Sequence, residues 1–388
     1  DNFRLRVFQN YTILFFISIA EVRMIIIDGD YPMAHNALKF QRDLTKPISE
    51  VRSSGIANAE LDPNGYSIMS SLPEMRKGNV AVAIVKVVCC ILRPGNDHGD
   101  VPTDLHAYAS GKSQMAYYHM LETMRQVKLL KFQNEFKEHM DLWLNEDDNM
   151  NAPVGMVLGM EGEDSITQPD QLQEWYEEGL RHISLSHYGV SRYSHGTGTG
   201  TEGGLVGNAK ELLQEMDSLN MILDVSHTSD ESVRQELDIF KGPIIATHQN
   251  CRSISPGERQ FPDHQIKSVI ERGGVIGHSM DTYMLWNKEI DWANIPSVRP
   301  FLKDEVTLEN YVDHIDHVCQ LAGNSLHAAI GGDTDGQGGM IGAPYEIDTV
   351  ADYQKIVQLL EQRGYESEDI ENIMYKNWQR FFELYLPT

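Results

Sequence analysis

Eight short apolar runs, separated by amphipathic segments, constrain the fold of this chain more than any other feature. The runs are RMIIIDGD (23–30), AVAIVKVVCCIL (81–92), VGMVLGMEG (154–162), HISLSH (182–187), MILDVSH (221–227), PIIATH (243–248), GVIGHSM (274–280) and AAIGGDTDG (328–336). Near-continuous apolar strands that alternate with helices indicate a parallel sheet covered on both faces. Eight such units predict an α/β fold of the (β/α)8 TIM-barrel type, with a doubly wound open sheet as the rival.

Ionisable side chains stand at the ends of six of these runs. They are Asp28 and Asp30, Glu161, His187, His227, His248, and Asp333 with Asp335. In a barrel the carboxyl ends of all strands meet at one mouth, where active sites form. Scattered surface charges would not keep to strand ends, so this pattern favours the barrel over the open sheet.

Composition narrows the class of protein. The chain has 388 residues, a formal net charge of −25 and a pI of about 4.9, so it lacks the basic surface that binding to nucleic acid requires. Its four cysteines form no CxxC pair, which argues against a thiolate zinc site and predicts buried free thiols. We predict one catalytic barrel domain over residues 22–388, preceded by an extension over residues 1–21.

The extension contains Arg4 and Arg6 followed by an apolar run over residues 11–20. The run looks somewhat like a signal peptide, but it is shorter than the roughly 20 residues that span a bilayer. We expect it to form an extra strand or a docking segment, and we predict no membrane anchor. A cytoplasmic location is favoured, with export as the alternative.

Carboxylates and neutral histidines together are ligands for Zn²⁺ or a similar divalent ion. Glu161 follows an apolar stem, so its carboxylate would be buried and unpaired without a cation. Residues i and i+2 of a strand point the same way, so Asp28 and Asp30 are expected to face one ion. A set of six predicted ligands would suffice for two ions sharing a water molecule: Asp28, Asp30, Glu161, His227, His248 and Asp333.

The chain resembles the membrane (renal) dipeptidase family of zinc metallopeptidases, peptidase family M19. The matching stretches are GMEGEDSI around Glu161, LDVSHTSDES around His227, GPIIATHQNCRSISPGERQFPD around His248, and AAIGGDTDG around Asp333. The resemblance implies a metal-binding barrel that hydrolyses free dipeptides, including those with a C-terminal D-residue. It also implies a homodimer.

The resemblance further implies a role for each matched residue. Glu161 bridges two zinc ions, and His227 and His248 hold one of them. Asp333 lies near the bridging water and moves its proton. Arg259 grips the carboxylate of the substrate, and His187 steadies the polarised peptide carbonyl.

The chain departs from the family at strand one, where His-x-Asp is usual and this sequence has Asp28 and Asp30. An extra carboxylate in place of an imidazole favours harder ions, so the first metal site is expected to be altered, weakened, or filled by Mn²⁺ or Mg²⁺. Two alternatives follow: a metal-dependent hydrolase of another small amide, and a degenerate barrel that binds a ligand without turnover.

The segment GTGTGTEGG (196–204) matches the nucleotide-binding pattern GxGxxG, but it does not directly follow a strand. We therefore expect it to be a mobile loop over the barrel mouth.

Overall fold

The computed structural model describes residues 24–93, 99–145, 149–292, 302–336 and 338–388. Its strands are β1 (Ile26–Tyr31), β2 (Val80–Cys89), β3 (Val127–Leu129), β4 (Val154–Glu163), β5 (Leu180–Ser184), β6 (Ile222–Asp224), β7 (Ile244–Ile245), β8 (Ile276–His278) and β9 (Ala328–Ile330). Each of the eight predicted runs overlaps one of these strands. The predicted extension over residues 1–21 lies outside the described residues.

Helices follow most of the strands. They are α1 (Met33–Lys39), α2 (Ile48–Ala57), α3 (Leu72–Lys77), α4 (Asp104–Thr123), α5 (Gln133–Asn145), α6 (Leu172–Glu177), α7 (Ala209–Ser218), α8 (Asp230–Ile239), α9 (Asp263–Glu271), α10 (Thr282–Leu285), α11 (Leu308–Ala322), α12 (Gln354–Gln362), α13 (Ser367–Glu371) and α14 (Asn377–Tyr385). Short 3₁₀ helices and one π-helix, Asn372–Lys376, complete the set among the described residues. None of these helices is long and apolar enough to cross a membrane.

The strands run parallel in the order β1-β2-β4-β5-β6-β7, and β8 pairs in parallel with β9. A parallel bridge between Ala246 and Ile276 continues the order from β7 to β8. The last strand then returns to the first, since Gly332 after β9 donates its N–H to Asp28 in β1 at 2.8 Å. The predicted α/β barrel is confirmed.

One strand, β3, was not predicted. It pairs with residues Val154 to Met156 of β4, whereas β5 pairs with the later part of β4. Because β2 occupies the other edge of β4, β3 and β5 share one edge in succession. A run of three residues between two helices is too short for the alternation typical of a strand to be recognised in the sequence.

Glycine at position 29 allows β1 to approach its neighbours across the barrel. A Cβ atom there would lie 2.5 Å from the carbonyl oxygen of Thr247 and 2.9 Å from that of Ile330. No side chain fits this space, so the close approach requires glycine. It brings the end of β1 against the segment that carries His248.

Candidate metal centre

Four of the predicted site residues follow their strands at the same distance. His187, His227, His248 and Asp333 each lie three residues after the last residue of β5, β6, β7 and β9, respectively. Glu161 lies inside β4, and all of these side chains line one cavity at the carboxyl ends of the strands. Because of this common spacing, these side chains form a ring around the mouth of the barrel.

Two residues of this ring have a backbone conformation that L-residues seldom adopt. His227 has a φ of 63° and Asp333 a φ of 55°. A positive φ at non-glycine residues costs roughly 1–3 kcal/mol and is concentrated at functional sites. The surrounding structure therefore holds these two residues in a backbone conformation that they would not adopt by themselves.

Glu161 stands between the two histidines. Its Oε1 atom lies 3.2 Å from Nε2 of His227 and 3.2 Å from Nε2 of His248. All three side chains are buried, and Oε1 makes no hydrogen bond among the described residues. This carboxylate oxygen thus contacts one ring nitrogen of each histidine.

The hydrogen bonds around His248 determine its tautomer. Thr247 donates its hydroxyl proton to Asp224 at 2.6 Å, so the same hydroxyl can only accept from His248 Nδ1, which lies 3.0 Å away. Lys86 also donates to this hydroxyl, at 2.9 Å. His248 therefore carries a proton on Nδ1, so Nε2, which faces Glu161, is the ring nitrogen that could bind an ion.

His227 has an equivalent arrangement. Its Nδ1 atom lies 3.0 Å from the hydroxyl of Thr197, and that hydroxyl donates to the carbonyl oxygen of His227 at 3.4 Å. Nδ1 therefore faces Thr197, and Nε2 is the atom that faces Glu161. Thr197 belongs to the glycine-rich segment 196–204, so this segment does lie at the barrel mouth.

The separation between Glu161 and each of the two histidines suits a pair of ligands on one divalent cation. Ligands about 2.0–2.1 Å from a tetrahedral zinc ion lie about 3.3 Å from one another, which is close to the 3.2 Å separations found here. Burial opposes protonation of His248, but Asp30, Glu161 and Asp333 together raise its pKa to about 10. The centre therefore attracts positive charge, and an ion would satisfy the unpaired carboxylate oxygen.

The strand-one carboxylates are placed differently from each other. Asp30 joins Glu161 and His248 in one group of potential ligands, and His187 joins Glu161 and His227 in a second group. Asp28 accepts the N–H of Gly332 at 2.8 Å and belongs to neither group among the described residues. Its role as a ligand stays a prediction.

The cavity above the centre has a volume of about 410 Å³. Its other walls come from α1 and the loop after it, including His35, Lys39 and Arg42. Burial raises the pKa of Asp333 to about 6, against the lowering effect of His248, and the hydroxyl of Ser279 donates to Asp333 at 3.4 Å. A carboxyl group that titrates near neutrality can accept and return protons at physiological pH.

Arg259 is held against the backbone of His248. Its two terminal nitrogens donate to Gln249 Oε1 at 2.5 Å and to the carbonyl oxygen of His248 at 2.9 Å. Its side chain is 1% exposed and is absent from the described walls of the cavity. These bonds use two of its five N–H groups, and its buried Nε atom has no hydrogen-bond partner among the described residues.

Four supporting residues were not recognised in the sequence. They are Thr197, Thr247, Lys86 and Asp224. The two threonines adjoin the histidine motifs in space, but only Thr247 precedes its histidine directly. A lysine in the middle of an apolar strand, as Lys86 is in β2, was the one available signal, because a buried lysine requires a carboxylate partner.

Comparison with known proteins identifies the family of this chain. The model of the membrane dipeptidase family (peptidase family M19) matches residues 20–384. Dipeptidase tcpJ of Claviceps purpurea is 26% identical over 66% of this chain and 58% of its own length. The uncharacterised dipeptidase C965.12 of Schizosaccharomyces pombe is 26% identical over 84% of this chain and 74% of its own length.

The matched length varies among the curated relatives. The chain spans only 54% of a second Schizosaccharomyces pombe dipeptidase, C3A11.10c, at 26% identity over 61% of this chain. Among solved structures, a metallopeptidase from Rhodobacter sphaeroides with a phosphinate mimic of the dipeptide L-Ala-D-Ala superposes with a TM-score of 0.74. It is 18% identical, and the match covers 94% of this chain and 99% of that one. This likeness supports the barrel fold, and the family match over nearly the whole chain shows that the protein belongs to the membrane dipeptidase family, peptidase family M19.

Proposed function

We propose that this chain is a metal-dependent dipeptidase that hydrolyses the peptide bond of free dipeptides, with a divalent ion held by Glu161, His227 and His248. The observation that carries the proposal is that Glu161 Oε1, a buried atom without a hydrogen-bond partner among the described residues, lies 3.2 Å from Nε2 of His227 and 3.2 Å from Nε2 of His248. Family membership supports the same chemistry. When bound, a divalent ion supplies a Lewis acid and a nucleophilic water at neutral pH.

The residues around the centre account for the proton transfers. Asp333 takes a proton from the attacking water at a carboxylate oxygen and returns it to the leaving amine nitrogen. Its pKa, raised to about 6 by burial, suits both directions. His187, at the edge of the cavity, donates to the substrate carbonyl oxygen as negative charge develops there.

The size of the cavity supports a small substrate. About 410 Å³ is at the lower end of the range for small-molecule sites, and a dipeptide would fill much of it. The Rhodobacter sphaeroides neighbour carries a mimic of L-Ala-D-Ala, which motivates including dipeptides with a C-terminal D-residue. Zinc is the proposed ion because two imidazoles and one carboxylate are typical zinc ligands.

A second candidate is hydrolysis of another small amide that lacks a free carboxylate. The position of Arg259 favours it, because both terminal nitrogens of this side chain are already bound to the protein. The residue is also 1% exposed. C-terminal amides of dipeptides and cyclic dipeptides represent this class.

The first experiment is an assay for released amino acids on a panel of small amides. The panel contains L-L and L-D dipeptides, their C-terminal amides, N-acetyl amino acids and a cyclic dipeptide. Metal-stripped protein is titrated with Zn²⁺ and separately with Mn²⁺. We expect metal-dependent cleavage of the free dipeptides.

Each other outcome has a definite meaning. Cleavage of the amides alone would replace the dipeptidase proposal by the second candidate. No cleavage with either ion, in protein that binds the ion, would leave the ligand-binding barrel as the function. The predicted homodimer is checked separately by light scattering on a sizing column.

A further inference from the structure

We propose that the cavity selects dipeptides with a basic side chain, with Asp100 as the specificity-determining residue and Lys39 as the group that the substrate displaces. The inference rests on the proposed dipeptidase function, since it names the class of dipeptide that the cavity prefers. It concerns the wall formed by α1 and by the segment before α4, whose residues are separate from the ligands of the candidate metal centre.

Two ion pairs lie in this wall, and they differ in burial. Arg42 binds Asp62 through two nitrogens, at 2.7 and 2.8 Å, and the two side chains are 7% and 1% exposed. Lys39 Nζ lies 2.9 Å from Asp100 Oδ1, and these side chains are 50% and 23% exposed. All four residues line the same cavity as the candidate metal centre. Breaking a buried pair leaves a charge without a partner, whereas an exposed pair contributes little, so the Lys39–Asp100 pair is the exchangeable one.

The two members of the exchangeable pair are held differently. The N–H of Asp100 donates to the carbonyl oxygen of Cys90 at 2.7 Å, and the N–H of Cys90 donates to Asp100 Oδ2 at 3.4 Å. Lys39 is the last residue of α1, and its ammonium group is carried on a long flexible stem. Lys39 can therefore move into water while Asp100 stays in the wall. A substrate cation can replace Lys39, whereas a substrate anion would have to displace an anchored carboxylate.

The wall is negatively charged once Lys39 has moved away. The pKa of Asp100 is lowered although burial opposes this, because His35 and Lys39 lie close to it. His35 Nδ1 lies 3.3 Å from the carbonyl oxygen of Val88 and therefore donates to it. Burial lowers the pKa of His35, so its ring is neutral at neutral pH and Nε2 is left as an acceptor. An ammonium or guanidinium group would thus meet a fixed carboxylate and a neutral acceptor.

The test compares lysine with norleucine, which has an unbranched side chain of similar length but no charge. Hydrolysis by the zinc-loaded protein gives kcat/KM for Lys-Ala, Nle-Ala and Glu-Ala, and for Ala-Lys, Ala-Nle and Ala-Glu. We expect lysine to be favoured over norleucine roughly tenfold at one of the two positions, with glutamate disfavoured there. Equal values for lysine and norleucine at both positions, or a preference for glutamate, would overturn the proposal.

Two variants are expected to change the lysine-to-norleucine ratio in opposite directions. Asp100→Asn removes the fixed negative charge, so the ratio should fall to about one. Lys39→Met removes the competing ammonium group, so the ratio should rise about 3–10-fold. A pair that only stabilised this wall would give changes in the same direction or no change, and either result would refute the proposal.

The matched control is Glu178→Gln, at another carboxylate paired with a lysine. Its partner Lys112 lies 2.8 Å away, and neither residue belongs to the described walls of the cavity. The ratio in this variant should equal that of the wild type. Lys39→Met alters a half-exposed side chain, so it keeps the test decisive where Asp100→Asn fails to fold: an unchanged ratio in Lys39→Met would by itself contradict the displacement of Lys39.

This inference and the dipeptidase proposal can fail separately. Cleavage of all the dipeptides without a preference for lysine would refute the inference and leave the dipeptidase proposal intact. Where the zinc-loaded protein cleaves none of them, isothermal titration calorimetry on the same protein gives the Kd of each lysine and norleucine peptide. Binding of a lysine peptide roughly tenfold more tightly would support the selectivity of the wall alone, and equal Kd values would refute it.

Discussion

On one side of the barrel mouth, the histidines that follow β6 and β7 direct their Nε2 atoms at Glu161. On the other side, the carboxylates of β1 meet donors that belong to the protein: the N–H of Gly332 for Asp28 and the ammonium group of Lys86 for Asp30. Both sides are buried and rich in ligand-type residues. Each side also leaves a buried carboxylate oxygen without a hydrogen-bond partner among the described residues: Glu161 Oε1 on the first, and Asp28 Oδ2 and Asp30 Oδ1 on the second. A neighbouring donor on one oxygen therefore does not by itself identify or exclude a metal ligand.

The strongest test of the histidine side is Glu161→Gln. The amide is almost the same size, but it removes the negative charge that two imidazoles share, so we expect loss of turnover and of most metal binding with the fold intact. Circular dichroism, metal content and dipeptide hydrolysis measure these three effects. Glu138→Gln, at an exposed glutamate of α5, is the control. Full activity with full metal loading would end the account of the centre given above.

Arg259→Ala tests whether the guanidinium group of this arginine reaches the substrate. We expect KM to rise about 10–100-fold for free dipeptides, because a charge-assisted hydrogen bond to the carboxylate contributes about 1.5–3 kcal/mol. Dipeptide amides serve as the comparison, since they lack the carboxylate. Equal increases for both substrate classes would assign Arg259 to the support of His248 instead.

His139, at the opposite end of the barrel from the candidate metal centre, provides a further comparison. His139 in α5 is buried, and its Nε2–H donates to the carbonyl oxygen of Ala81 at 2.9 Å. Burial lowers its pKa to about 4 from the ordinary 6.5. The unfolded chain therefore binds this proton first as the pH falls, and stability is lost from pH 6.5 downward until pH 4 is passed.

The expected contribution is about 2 kcal/mol lost between pH 7 and pH 5, from the difference between the two pKa values. His139→Gln keeps a donor for Ala81 but cannot titrate, so the pH dependence of its unfolding free energy should be weaker by that amount. Urea unfolding at the two pH values measures it. His264→Gln, at an exposed histidine, should retain the full dependence of the wild type.

The smallest effect is expected at Asp28. Asp28→Asn keeps an oxygen that can accept the N–H of Gly332, so we expect the metal-to-protein ratio to equal that of the wild type. Metal analysis of the two proteins side by side checks this. A lower ratio in the variant would restore Asp28 to the ligand set predicted from the sequence.

The sequence by itself determined the barrel and the ring of candidate ligands. Buried strands are recognised from their own apolar residues, without knowledge of distant contacts. The carboxyl ends of parallel strands in a barrel then lie on a common face. His187, His227, His248 and Asp333 could therefore be placed together without coordinates. The three-residue strand β3 and the supporting residues Thr197 and Lys86 could not, because their partners are remote in sequence.

Tertiary structure alone decided how the carboxylates are used. Asp28 and Asp30 are two residues apart in one strand, and alternation predicts that they act alike. In the fold, β1 makes an irregular step between Asp28 and Tyr31, and different neighbours receive the two side chains. Whether a buried carboxylate binds a metal ion, a lysine or a backbone N–H depends on which donor lies within about 3 Å, and that is fixed by residues 50 to 300 positions away in the chain.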